Sequence, residues 1–519
     1  MKTNRIILIV LAALFMTGFA SCNKWLDITS DNEVLEKDAF TSSKGFRNAL
    51  TGVYRQIAGD GLWGQELTWG AMSAFVYEYN SSFTINAYKQ VISATSNNPD
   101  YFQIDVIQPT FRNIWGTAYT AIANLNNLIQ AVEASKVDDY ESPFERDVIL
   151  GEAYGLRGLL HFTLAQLFVQ APVVDGEDIP AIPYVEVYPN LQPYFSTLKD
   201  VLDNSARDLE EAQKRLYEFD VNEGFGKAHY YSSGVDIIDA DNYFFKSWGA
   251  YNTDGIPRDK RAGGFFANRG YRLNWWGATA LLARLYSYRR DFTNAEKYAD
   301  AILNEWVAAN RFHLLATPTA ASDVTTIDGK RRPESLMALW NQDETTIYNN
   351  ATSNLSMNQL QSNLKYLFTG EESTDFRYNS LFNQTTKYYR VWYCPKETKS
   401  SDVETYSTPM LPVIELPEIY CIKAECQAKA GDVAGALATV KAIRDARGCA
   451  TALKATDYES FLKVLVDEVQ RDGLMRGWVW PFLKKLDWPE LFYGQSSRRW
   501  AVPAGWWVFP IPDTETAYR

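Results

Sequence analysis

The chain has 519 residues, 46% hydrophobic, 22% charged and 14% aromatic, with a formal net charge of −12. That length exceeds one compact core and points to two or three packing units of ordinary globular composition. So acidic a chain repels phosphate backbones, which argues against nucleic acid as a partner. The surplus of rings (31 Tyr, 27 Phe and 16 Trp) supplies flat apolar faces, either for a large core or for a recognition surface.

The first element is a leader. "MKTNRIILIVLAALFMTGFASC" sets Lys2 and Arg5 ahead of an apolar run from Ile6 to Met16. As a helix that run reaches about 17 Å at about 1.5 Å per residue, well short of the roughly 30 Å hydrocarbon core. The length fits a secretory signal, and small residues Ala20 and Ser21 stand before Cys22. The stretch resembles a bacterial lipoprotein signal, with Phe19 where the common pattern has Leu. The resemblance implies removal of residues 1–21 and lipidation of Cys22, with 22–40 as a tether and 41–519 as the body. Losing the leader removes Lys2 and Arg5 and moves the charge from −12 to −14.

Helical periodicity then recurs, and the fold class it predicts is mostly α. Lys44 to Ile57 spaces Phe46, Leu50, Val53, Tyr54 and Ile57 by three and four residues, after Ser and Thr suited to capping. Phe111 to Ala134 repeats the spacing with Ile114, Ala118, Ile122, Leu125 and Ile129. Glu145 to Phe168 is apolar around much of its circumference and is predicted to be central, whereas Tyr194 to Leu216 is amphipathic. Two later segments align at a constant offset of 141 residues, matching Ala283 with Ala424, Asp291 with Asp432, Ala295 with Ala436 and Ile302 with Ile443. Each is predicted to be a helical hairpin of tetratricopeptide (TPR) type, with small residues at the crossing. The predicted hairpins are 41–57 with 111–134, 145–216, 275–305 and 412–447. Between them, 59–110, 224–274 and 317–410 are rich in Gly, Asn, Ser, Thr and rings, and are predicted to be ligand-binding excursions on the helical scaffold.

Catalytic signatures are missing: there is no Gly-x-Ser-x-Gly, no phosphate-binding Gly-rich loop and no His-Glu-x-x-His. The three histidines, His161, His229 and His313, are far apart, and the five cysteines form no Cys-x-x-Cys pair, so a zinc site of ordinary spacing is absent. Apart from Cys22, the thiols at Cys394, Cys421, Cys426 and Cys449 are expected to be structural, and their pairing is open. No cofactor is expected.

Five stretches resemble the SusD/RagB-like lipoproteins of Bacteroidetes. Trp25-Leu26-Asp27 follows Cys22 as in that family. Ile122 and Asn126 match a helix with an I-x-x-x-N pattern. Ala153, Arg157, Phe162 and Phe168 match a third motif, with Gln170 in place of a glycine. Glu418, Tyr420, Ala424, Glu425, Gly431 and Ala436, with Arg444 and Arg447 beyond, match a fourth, with Pro417 where alanine is usual. The ending Pro510-Ile511-Pro512 with Glu515 is the fifth. A further motif is partly kept, at Glu468, Arg471, Gly477, Trp480 and Lys485. There Arg476, Val479 and Phe482 replace the family's Glu, Arg and Asp, and its role is expected to be structural.

The resemblance implies a non-enzymatic protein, lipid-anchored on the outer-membrane surface. It would capture an oligosaccharide and pass it to a SusC-like TonB-dependent transporter. RagB-like members take a peptide instead, and some members hold calcium, which this sequence leaves unknown. A helical surface glycosidase and a TPR-type protein adaptor are the other readings of the same elements. Binding residues in the family vary too much to carry over by position, so candidates come from rings in the excursions. Trp69, Tyr77 and Tyr79 lie in "LWGQELTWGAMSAFVYEYN", where Phe75, Tyr77 and Tyr79 alternate and would share one face if extended, either as a buried strand face or as a binding one. Trp248 and Tyr251 lie in a Gly- and Asn-bearing turn, and Trp340 stands beside Asn341 and Gln342. Trp275-Trp276 and Trp506-Trp507 are assigned to the core.

Overall fold

The structure, a computed structural model, describes residues 40–79, 85–140, 142–225, 269–308, 312–316, 329–351, 364–382, 409–492 and 499–516, with Phe265 and Trp392 besides. Helices dominate, and they begin where capping residues allow. α1 (Ser43–Ile57) starts where the Ser42 hydroxyl accepts from the Gly45 N–H, and it buries Phe46, Leu50, Val53 and Ile57. After α2 (Asn86–Ala94) come α3 (Gln108–Ala134) and α4 (Glu145–Phe168). α4 is buried on nearly every face, as its all-round apolar sequence demands. α5 (Leu198–Tyr217) opens on a capping box between Thr197 and Asp200. α4 lies between α3 and α5, and α1 covers α3.

The internal repeat is exact in register. α6 (Trp275–Tyr288) and α7 (Phe292–Asp300) form one hairpin, α7 continuing as a wider turn through Val307. After α8 (Glu344–Ala351), α9 (Leu416–Lys429) and α10 (Val433–Ala446) form the other, starting 141 residues later at both helices. Each turn needs one left-handed residue, Arg290 at φ 65° in the first and Gly431 at φ 93° in the second. The following aspartate then caps the second helix, Asp291 accepting from Asn294 N–H and Asp432 from Gly435 N–H. α11 (Tyr458–Asp472) and α12 (Val479–Lys485) close the helical array.

Two predicted boundaries move: α5 starts at Leu198 rather than Tyr194, and the last hairpin loses its first residues to a strand. β1 (Ser335–Trp340) pairs antiparallel with β2 (Met410–Glu415), Trp340 opposite Met410 and Ser335 opposite Glu415. Residues 412–415 therefore belong to a wholly buried strand, and the hairpin starts at Leu416. Pro417 falls in the first turn of α9, where a missing N–H costs nothing, so proline is tolerated in place of alanine. A second ribbon, β3 (Glu490–Phe492) with β4 (Arg499–Ala501), lies near the C-terminus.

The partly kept motif is structural, as expected. Glu468 pairs with Arg377 (2.6 Å) and Arg444 (3.3 Å), Lys485 with Glu425 (2.7 Å), and Arg476 with Glu415. The Glu468 and Arg476 pairs belong to a buried network in which Arg331, Arg377 and Arg447 all converge on Asp472. Three guanidiniums hold that carboxyl ionised, well below the ordinary carboxylate range despite its burial. Gly477, at φ 83°, lets the Leu67 carbonyl approach so closely that an added Cβ would lie 1.8 Å from it.

Cys421, Cys426 and Cys449 are free thiols, and burial raises the pKa of each. Cys22 and Cys394 lie outside the described residues. Among the described residues no helix is long and apolar enough to cross a membrane, and no group of three or more His, Cys, Asp or Glu could hold a metal ion.

Candidate ligand-binding surfaces

The described rings of the predicted excursion 59–110 are buried rather than presented. Residues 59–79 fold on themselves through backbone bonds such as Gly64 N–H to Gly59 O (2.8 Å) and Gly70 N–H to Gln65 O (2.7 Å). With its backbone satisfied internally, the segment can enter the core. Trp69 is 0% exposed; its indole N–H donates to Gly64 O, and Tyr348 meets it edge-on at 4.9 Å. The Tyr79 hydroxyl donates to the Trp69 carbonyl, and Tyr79 too is buried. Tyr77 is in the left-handed region at φ 60°, so the alternation expected of a strand is broken there. Its ring packs on Trp500 (4.5 Å) and Trp506 (6.1 Å). Phe75 is enclosed by Tyr88, Phe102, Trp506 and Phe509. Trp69, Tyr77 and Tyr79 are therefore core residues, and the binding assignment for them is corrected. Trp275, Trp276, Trp506 and Trp507 are buried as predicted.

The carboxyls inside that segment are sealed with it. Burial lifts Glu78 to about 8 and Glu66 to about 7, and Glu344 in α8 also to about 7. Such values suit general acids, but all three side chains are enclosed and have no route to a substrate.

Trp340 remains a surface ring. It ends β1 at 38% exposure, and the buried Tyr271 supports it edge-on, centroids 5.0 Å apart and planes at 81°. Backbone pairing to Met410 fixes its position. Neighbouring Asn341 is committed to the scaffold: its Nδ2 donates to Ala58 O at 2.7 Å and its Oδ1 accepts from Asp343 N–H. Gln342 is exposed beside it. Trp248 and Tyr251 lie outside the described residues.

A second exposed group lies where none is predicted, in the connection from α4 to α5. Leu191 and Tyr194 are 91% and 88% exposed, with Val187, Tyr188 and Phe195 also at the surface. The motif residues Asn126 and Arg157, together with His161, hold this connection. Asn126 Nδ2 donates to Val185 O (2.8 Å), and His161 Nε2 accepts from Val185 N–H (3.0 Å). Burial lowers the His161 pKa to about 3, so the ring is neutral and its Nδ1–H is free to donate to Arg157 O. The sequence signal was available: "IPYVEVYPNLQPYF" repeats proline and rings, which keeps a chain extended and unable to join a helix or sheet interior.

Residues 24–221 match a protein family described as "SusD-like_3: Starch-binding associating with outer membrane". No curated protein matches the chain at a significant level. Among solved structures, a SusD superfamily protein from Bacteroides thetaiotaomicron is similar at a TM-score of 0.63 and 18% identity, over 92% of this chain and 98% of that one. A SusD-like carbohydrate binding protein from Bacteroides vulgatus gives 0.58 at 14% identity, over 92% and 96%. A SusD superfamily protein from Bacteroides fragilis gives 0.56 at 18% identity, over 92% and 98%. At such identities the structural likeness speaks for the fold, and the match over 24–221 adds the sequence signature. Residues 24–221 thus carry a SusD-like sequence signature, and the chain as a whole shares the fold of these SusD-like structures.

Proposed function

We propose that this protein is a surface glycan-binding lipoprotein. Anchored through Cys22, it captures an oligosaccharide and delivers it to a SusC-like TonB-dependent transporter, without catalysis and without a cofactor. The observation that carries the ligand class is Trp340, a half-open indole braced from beneath by Tyr271. The C–H face of a sugar ring can lie on such an indole, and the rigid support limits the entropy lost on binding. The family description, starch-binding and associated with the outer membrane, supports the same reading. Acyl chains on Cys22 would hold the protein at the membrane, each buried CH₂ contributing about 0.8 kcal/mol.

Affinity electrophoresis against a panel of neutral glycans tests it. Trp340→Ala is expected to weaken binding at least tenfold with an unchanged melting temperature. Full affinity in that variant would remove Trp340 from the site, and capture of peptides with no affinity for any glycan would replace the reading by a RagB-like one. On cells, Cys22→Ala should leave the outer-membrane fraction, and the anchored wild type should co-purify with a TonB-dependent barrel. Retention of the variant at the membrane, or recovery of the wild type without a barrel, would refute the anchor or the partner respectively.

A further inference from the structure

Between α3, α4, α5 and the connection at 186–188 lies an open groove of about 540 Å³. That volume falls within the roughly 300–1,000 Å³ of small-ligand sites and has room for a short oligosaccharide. Arg157 forms its base. The guanidinium is buried and held by two bonds to Asp208 (2.6 and 2.9 Å) and a third to Asn126 Oδ1 (3.0 Å). Tyr154 forms a wall: its hydroxyl donates to Glu133 at 2.6 Å, and the guanidiniums of Arg157 and Arg215 brace its ring at 5.1 and 5.7 Å. Tyr188 is the exposed ring, at 37%. The Gln130 amide grips its backbone on both sides, accepting from Tyr188 N–H at 2.7 Å and donating to Tyr188 O at 3.0 Å.

Four carboxylates line the groove (Glu133, Glu186, Asp208 and Glu211) against two guanidiniums (Arg157 and Arg207), and most of these charges are paired. Glu186 pairs with Arg207 and Arg157, Asp208 with Arg157 and Arg207, and Glu211 with Arg215. The acidic surplus disfavours an anionic ligand there. The paired groups are nevertheless fixed in place, and each carboxylate keeps spare lone pairs for hydroxyl donors. Capture of an extended peptide by strand addition is closed, because the N–H and C=O of both Val185 and Tyr188 already bond to helix side chains.

We infer that this groove is a second ligand site, for a short neutral oligosaccharide stacked on Tyr188 and hydrogen-bonded along Glu133, Glu211 and Arg207. The ligand class rests on the glycan-binding reading above; the location rests on the groove alone.

Hydrogen exchange on the full-length mature protein tests it, with maltoheptaose, cellohexaose, xylohexaose and mannohexaose as neutral probes. A heparin hexasaccharide and a tryptic casein digest serve as charged and peptide probes. At least one neutral probe is expected to protect residues 184–188 and 207–211. Tyr188→Ala should weaken that protection at least tenfold, Tyr188→Phe should retain it, and neither should shift the melting temperature. Protection confined to 335–341 overturns the groove and leaves the proposed function standing. No protection by any neutral probe overturns both. Protection of 184–188 by heparin or peptides alone overturns the neutral-glycan assignment.

Discussion

Residues 59–79 and residues 172–197 are both rich in rings, yet one is packed inside the molecule and the other lies open to solvent. The difference is in where the backbone finds its hydrogen bonds. The first segment closes turns on itself, and C-terminal rings, Trp500, Trp506 and Phe509, cover its aromatic faces. The second contains Pro172, Pro180, Pro183, Pro189 and Pro193, so it makes few internal bonds and borrows partners from Asn126, Gln130 and His161 on the helices beneath. A segment fastened that way stays on the helical surface and turns its remaining side chains outward.

The sharpest way to break this contrast is by truncation. Trp69→Ala empties a core position and is expected to cost about 3–5 kcal/mol in urea unfolding. Tyr188→Ala removes a surface ring and should cost less than about 1 kcal/mol. Similar losses from the two would erase the distinction between the regions.

Titration separates the regions by sign. Glu78, raised by burial from 4.5 to about 8, stays protonated in the fold while the unfolded chain ionises. Its contribution is complete below pH 4.5 and is lost as pH climbs towards 8, with a limiting slope of about 1.4 kcal/mol per pH unit. His161, lowered from 6.5 to about 3, behaves oppositely: its contribution is complete above pH 6.5 and is lost as pH falls towards 3. Glu78→Gln should flatten the alkaline decline in melting temperature, because the amide can still accept from Met475 N–H as the protonated carboxyl does at 2.8 Å. The His161 ring should titrate, by NMR, far below an ordinary imidazole. An unaltered decline in the Gln variant, or a His161 midpoint near 6.5, would contradict the burial of Glu78 inside the first region and of His161 beneath the second.

The smallest effect is local. Gln130→Ala removes both bonds to Tyr188 and should cost about 1 kcal/mol. Exchange at the Tyr188 amide should quicken by a factor of roughly five while the exchange of the core helices is unchanged. An unaffected Tyr188 amide would show that the connection is held by other contacts.

Much of the scaffold was legible in the sequence because helices announce themselves locally. The apolar spacing in Lys44 to Ile57, the all-round apolar Glu145 to Phe168 and the aspartates after each hairpin turn needed no distant partner to interpret. The offset of 141 residues read from the sequence holds at the starts of both repeated helices, although the predicted start at 412 fell in a strand, and in the structure it also relates the left-handed positions Arg290 and Gly431. Motif residues such as Asn126 and Arg157 were visible too, although not what they hold. The strand at 410–415 was hidden, since a short apolar run beside a helix has no periodicity of its own.

Accessibility was decided only by the tertiary structure. Trp69 and Trp340 are the same residue type in similarly Gly-, Asn- and Gln-bearing surroundings, and nothing local ranks one above the other. Trp69 is closed off by Tyr348, and Tyr77 by rings more than four hundred residues further along the chain, whereas Trp340 ends a strand against Tyr271 and keeps 38% of its surface exposed. The sequence by itself determined the helices, their repeat and the acidic character of the chain, all properties of neighbouring residues and composition. Which rings reach solvent depends on contacts between remote segments, and those exist only once the chain has packed.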